Sequence, residues 1–162
     1  MNSILDLWDK CRTLPLGKRI FSAGFSLKAP YFATITPKFE KVAPNHVELT
    51  ITNWWGVHNH IGTVHAIALC NGAEAAMGAL AEVTIPADKR WIPKGMEVEY
   101  TAKANTAITV IAETDPDQWT GDDPDLPVRV RAVTTDGVEC FRGVIKLWVT
   151  PKPVRDKATS AG

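Results

Sequence analysis

Residues Thr63–Val83 read TVHAIALCNGAEAAMGALAEV, a long run with almost no charge. Alanine and glycine dominate it, proline is absent, and its only carboxylates are Glu74 and Glu82. The composition predicts a helix that is small-sided and apolar almost all round, which has to be embraced by other structure rather than laid on a surface. Gly72 and Gly78 each weaken such a helix by roughly 1 kcal/mol, so close packing at both is expected to compensate.

On either side of this helix the hydrophobic period changes to two. Upstream, Val47, Leu49 and Ile51 alternate with Glu48, Thr50 and Thr52, a one-faced strand. A turn at Ala43, Pro44 and Asn45 joins it to a β-rich run, Tyr31–Lys41, whose central Pro37 marks an edge or a bulge. Downstream, Met96, Val98, Tyr100 and Ala102 alternate with charged and polar residues. A tight turn at Asn105 and Thr106 is expected to return the chain as Ala107–Glu113. An aspartate- and proline-rich loop, Asp115–Pro127, leads to a hairpin of Val128–Thr134 and Val138–Thr150 around Thr135, Asp136 and Gly137. Before all of this, Ile4, Leu5, Leu7 and Trp8 recur at helical spacing with Ser3 as N-cap, and Lys18–Phe25 continues as further helical turns after Pro15 and Gly17.

The predicted fold class is therefore α+β: a curved antiparallel β-sheet wrapped around one long central helix, with an extra N-terminal helical segment. The chain divides into a helical extension at 1–30, a main domain at 31–151 and a polar tail at 152–162, expected to fray.

Composition limits the functional classes. The 162 residues carry 18 basic and 18 acidic side chains, so no long-range field draws in nucleic acid or an anionic membrane. Cys11, Cys70 and Cys140 are odd in number and widely spaced, which points to free thiols in a reducing compartment, a cytoplasmic location, and neither a disulfide framework nor a zinc site. The N-terminus has Asp6 and Asp9 among its apolar residues and reads as neither a secretory signal nor a membrane span. There is no G-x-S-x-G elbow and no phosphate-cradling glycine loop.

Glu74 is the foremost candidate for chemistry. A carboxylate in the most apolar stretch of the chain is costly to bury unless it is hydrogen-bonded or opens on a cavity; the alternatives are a solvent-facing position or a structural bond. The helix start is the second candidate. Backbone N–H groups around Thr63–Ala66 lack intrahelical partners at the positive end of the dipole, beside a loop of Asn59, His60 and Gly62.

The run Asn59, His60, Ile61, Gly62, Thr63, Val64, His65, followed nine residues later by Glu74, resembles the hotdog-fold thioesterases of the PaaI-like and YiiD C-terminal-like branch. The resemblance implies acyl-CoA hydrolysis, with Glu74 as general base or nucleophile, the Ala66 N–H as oxyanion donor, and Asn59 positioning substrate or water. It further implies that His60, Gly62, His65, Ile67, Asn71 and Trp91 border the substrate. No cofactor is implied beyond the coenzyme A of the substrate, and no metal. Where the family commonly has two glycines this chain has Ala66 and Ile67, which narrows the approach to the helix end.

Helix geometry contributes an expectation of its own. Ala66 and Glu74 are eight residues apart, ~12 Å along a helix, too far to act on one carbonyl. If both act, they belong to different copies, so a homodimer with shared sites is expected, with a dimer of dimers as a further possibility. Two other readings compete. His65 lies half a turn out of phase with Glu74, yet across a dimer the pair resembles a hydroxyacyl-thioester dehydratase; and Ile67 favours a non-catalytic acyl-CoA or lipid-binding protein. His58, His60 and His65 supply ligand types for a metal without the acidic or paired-cysteine spacing that would support one. Arg129 and Arg131, on one strand face, are candidates for a CoA phosphate or for a solvated surface. Trp54 and Trp55 border a ligand tunnel or serve packing.

Overall fold

The structure, a computed structural model, describes residues 3–121 and 123–153. Two helices, α1 (Ser3–Cys11) and α2 (Gly17–Lys28), and a 3-10 turn at Pro30–Ile35 precede strands β1 (Lys38–Ala43) and β2 (His46–Ile51). Helix α3 (Ala66–Thr84) follows, then β3 (Lys89–Tyr100), β4 (Ile108–Glu113), β5 (Asp125–Thr134) and β6 (Glu139–Pro151). The strands form one antiparallel sheet in the order β1-β2-β4-β5-β6-β3, open and curved around α3.

The helix is buried for the reason its composition suggests. Ala73, Ala75, Ala76, Met77, Ala79, Leu80 and Ala81 are fully buried against Val47, Leu49, Ile51, Ile108 and Val110 of the sheet. Small residues let the helix axis approach the strands. A Cβ on Gly72 would lie 2.6 Å from Ile51 Cδ1 and 3.2 Å from Val110 Cγ2, so the missing side chain lets the helix sit against these two without displacing them. Gly78 behaves differently: a Cβ there meets only the Trp91 ring, at 3.7 Å, so the expected close packing holds at Gly72 and not at Gly78. Among the described residues α3 is the one helix long and apolar enough to cross a membrane, and 72% of that window is buried inside the domain.

The N-terminal helices pack on the β1 side of α3 through an aromatic cluster. Phe21 meets Trp8 and Phe39 edge-on with centroids 5.0 and 5.5 Å apart, and Phe25 stacks on Phe32 at 5.8 Å. Edge strand β1 is blunted by this layer, because Phe39 N–H donates to the buried Ser22 hydroxyl at 2.9 Å. Ser22→Ala leaves that buried donor unpaired; it is expected to cost about 1–3 kcal/mol, measurable as a lower urea midpoint at unchanged m-value.

Three expectations are corrected. The Tyr31–Lys41 run is a strand only from Lys38; Pro30–Ile35 is a 3-10 turn, opened by Pro30 and closed by the Thr34 hydroxyl donating to Tyr31 O at 2.8 Å, which lets Phe32 stack on Phe25. The stretch from Met96 to Glu113 is not a hairpin. β3 pairs with β6 while β4 lies between β2 and β5, and the connecting segment is pinned where it crosses, by Val64 N–H donating to Ala104 O and Asn53 Nδ2 donating to Asn105 O. The helix begins at Ala66 rather than Thr63, because Val64 is extended in a bridge to His58. Of the predicted tail, residues 154–162 lie outside the described residues.

Candidate functional site

The loop before α3 is shaped from within. Asn59 Oδ1 accepts from the N–H groups of Ile61 and Thr63, both at 3.1 Å, and its Nδ2 donates to the Thr63 hydroxyl at 2.8 Å. Gly62, at φ 77°, closes the turn in a conformation that favours glycine, its N–H donating to Asn59 O. Asn59 thus spends its side chain on the loop's shape, and any effect it has on a ligand runs through that shape. His58 Nε2 bonds Asn53 Oδ1, His60 is exposed, and His65 caps the helix, its Nδ1 accepting from Ile67 N–H at 3.0 Å. His58 and His65 therefore face different partners, and His60 faces solvent.

The helix start retains free donors. Thr63, Val64 and His65 donate their N–H groups to Asn59 Oδ1, Ala104 O and Val57 O, which takes them out of the set predicted to be open. Ile67 N–H goes to His65, leaving Ala66 and Ala68 N–H without an acceptor among the described residues. Ala66 is half-buried, whereas Ile67, beside it, is 56% exposed and stands over the approach to the helix end.

Down the helix from Ala66, only Ile67, Cys70 and Glu74 reach the surface before Glu82. They are spaced 3 and 4 residues apart and so form one stripe. Glu74 is exposed rather than buried, the solvent-facing alternative, and it makes no hydrogen bond or ion pair to any described residue. Strand β3 borders the stripe: Cys70 Sγ lies 3.1 Å from the Tyr100 hydroxyl, and Trp91 Nε1 donates to Glu82 Oε1 at 3.1 Å. The bond to Cys70, with burial and the charge of the thiolate behind it, pushes the Tyr100 phenol up to about 12. β3 pairs with β6 on one side only, so its other edge and the stripe of α3 form one open face.

Across the stripe from β3 stands the N-terminal layer, and between them lies a cavity of about 280 Å³ lined by Phe25, Phe32, Met77, Gly78 and Trp91, with Glu74, Glu82 and Lys28 as exposed charges. The absent side chain of Gly78 is part of this space. The contribution of Phe25, Phe32 and Lys28 was not legible from the sequence, where the N-terminal segment reads as an outer appendage; the spacing of Phe21, Phe25, Phe32 and Phe39 was the available signal.

Other predicted residues are placed elsewhere. Asn71 is buried and does not border the stripe; its Nδ2 donates to the Thr34 hydroxyl at 3.0 Å, tying the 3-10 turn to α3, while its Oδ1 is buried with no partner among the described residues. Arg129 grips Asp115 with two bonds of 2.8 and 3.0 Å, which holds the Asp115 carboxyl below its ordinary range, and Arg131 lies 3.8 Å from Glu113. Both guanidinium groups are engaged on the sheet's outer face. Trp54 lies over Gly56, and Trp55 is exposed.

A six-stranded antiparallel sheet curled around one apolar helix, with its acidic candidate on the helix's open stripe, is the hotdog fold. Residues 17–149 match the family described as a domain of unknown function, DUF4442, and the chain belongs to that family. Among solved structures, it is 39% identical to a genomics protein, APC5556, with a TM-score of 0.81 over 92% of this chain and 99% of the other. It shares the fold of a Pseudomonas aeruginosa protein described as a probable thioesterase (21% identity, TM-score 0.73, 86% and 97% coverage). The same holds for a thioesterase family protein from Silicibacter pomeroyi (16% identity, TM-score 0.66, 85% and 100%). No curated protein matches the chain.

Proposed function

We propose that the protein is a cytoplasmic hydrolase of apolar acyl thioesters such as acyl-CoA, acting as a homodimer with sites shared between subunits. The observation that carries this reading is Glu74, a carboxylate with no partner among the described residues, on the lining of a mostly apolar cavity. At about 280 Å³ the cavity has room for an aryl or medium-length acyl group. Hydrolysis needs a group that delivers or activates water and a donor for the oxyanion. Glu74 supplies the first as general base or nucleophile, and the unclaimed Ala66 N–H supplies the second. Since ~12 Å of helix separates them, the two meet only when a second copy lies against the open face of α3 and β3. The names of the structural neighbours favour the same chemistry, as does the resemblance to PaaI-like proteins. Within this site Asn59 and Gly62 shape the loop, His65 orients the helix end, Ile67 limits the size of the entering group, and Trp91 closes one wall.

Incubation of purified protein with a panel of acyl-CoAs, with release of free thiol followed by a thiol reagent and corrected for the protein's own cysteines, tests the reading. Thiol release that rises from acetyl-CoA to aryl or medium-chain substrates is the expected result. Water addition to an enoyl thioester without thiol release identifies a hydratase instead, and tight acyl-CoA binding with neither reaction identifies a binding protein, the outcome that Ile67 at the helix end would explain.

A further inference from the structure

Zero net charge conceals a segregation. From Arg12 to Phe39 the chain carries Arg12, Lys18, Arg19, Lys28 and Lys38 and no acidic residue. Arg12 pairs with Asp9, and Lys18 and Lys38 share Glu40. Arg19 and Lys28 have no ion-pair partner among the described residues. They flank an anomaly. Helix α2 buries Phe21, Ser22 and Ser26, so its opposite side faces solvent, and that side carries Ile20, Ala23 and Leu27, with Leu16 exposed at the N-cap. At about 100° per residue Ile20, Ala23 and Leu27 fall on one stripe ~10 Å long, with Arg19 on one flank and Lys28 on the other, and Leu16 adds a further exposed aliphatic side chain before them. Leu27 is 81% exposed, Leu16 68% and Ile20 59%, and no polar side chain interrupts the line. Tyr31, in the 3-10 turn after the helix, is also exposed.

We propose that this face of α2 seats the protein on an anionic lipid surface, with the aliphatic stripe entering the headgroup boundary and Arg19 and Lys28 meeting lipid phosphates. An apolar face flanked by cations, on a helix lying parallel to the surface, is the form that interfacial helices take. A second copy fits less well, because a two-fold contact through this stripe gathers four cations, Arg19 and Lys28 of each α2, and no acidic side chain of that helix. A folded partner fits less well too: the grooves beside this face are lined by Arg19, Ala23 and Lys28 and not by Ile20 or Leu27, which project separately, as a fluid bilayer accepts. The attraction is local, and the overall balance of 18 basic and 18 acidic side chains does not oppose it. The proposal shares Lys28 with the rim of the acyl cavity and otherwise does not depend on the hydrolase reading.

Co-sedimentation of the full chain with vesicles of phosphatidylcholine alone, and of phosphatidylcholine with phosphatidylglycerol, tests it. The wild type is expected to partition onto the anionic vesicles, less so with rising salt. Ile20→Asp combined with Leu27→Asp should lower that partitioning more than tenfold with melting temperature unchanged, both positions being on the outer side of the helix. Arg19→Glu and Lys28→Glu should each lower it by about fivefold. Failure of the wild type to bind, or binding undiminished in the Asp pair, overturns the proposal. It is also overturned if the wild type forms a concentration-dependent oligomer that the Asp pair disperses, since the face is then covered by a second copy.

Discussion

Mixing a Glu74→Gln preparation with an Ala66→Pro preparation, each inactive alone, is expected to restore thioesterase activity to about a quarter of the wild-type level, because random exchange makes half of the dimers mixed and each mixed dimer holds one intact site. Glu74→Gln removes the carboxylate's proton acceptance with little change in shape, for an expected loss of ~10²–10⁴ in kcat. Ala66→Pro deletes one atom of function, the N–H. Ala66 is the first helical residue, where proline is favoured, and His65 before it has φ −64° and ψ 141°, the extended conformation that a residue preceding proline adopts. The helix should therefore stand, and the loss of one oxyanion donor is expected to cost ~10²–10³ in kcat. Full activity in Ala66→Pro would remove the helix start from the mechanism. Two inactive parents that exchange subunits, shown by a tag on one of them, without regaining activity would place each site within a single chain.

The second large effect concerns the strand that bounds the open face. Gly143 of β6 stands opposite Val98 of β3, and a Cβ there would lie 2.3 Å from Glu97 O and 2.9 Å from Val98 Cα. Those are backbone atoms in a paired strand and cannot yield as a side chain end would. Gly143→Ala is expected to cost about 1–3 kcal/mol, a fall of roughly 2–12 °C in melting temperature by circular dichroism. Gly95→Ala provides the control, since a Cβ at that position of β3 meets nothing within 4 Å. Its effect should stay within about 0.5 kcal/mol. Equal melting temperatures for Gly143→Ala and wild type would mean that β3 does not lie as close to β6 as the structure has it. Because β3 carries Trp91 and Tyr100, displacing it should also lower activity in the Gly143 variant and not in the Gly95 variant.

The alanine-rich helix was legible because its composition has one physical outcome: an apolar helix with no polar face must be enclosed. The alternation of Val47, Leu49 and Ile51 likewise specified a one-faced strand, and all three side chains are fully buried. Glu74 stood out for the same reason, as a carboxylate where none was expected. Pairing was not legible. Met96–Tyr100 and Ile108–Glu113 follow each other with a turn-like Asn105 and Thr106 between them, yet β3 joins β6 at the edge and β4 enters the middle. Local turn propensity carries no information about partners that are distant in sequence, such as Val64 and Asn53, which hold the crossing segment.

What the sequence determined by itself, then, was the enclosed helix, the antiparallel strands around it and the acidic residue on the helix, since each follows from periodicity and from the cost of exposing apolar or burying charged groups. Only the tertiary structure decided which of the helix-start N–H groups remain open, that Glu74 faces an apolar cavity walled by Phe25 and Phe32, and that the outward side of α2 is a bare aliphatic stripe between two cations. Those depend on which side of each element is covered, and coverage is a property of neighbours brought together by the fold rather than of the residues in order along the chain.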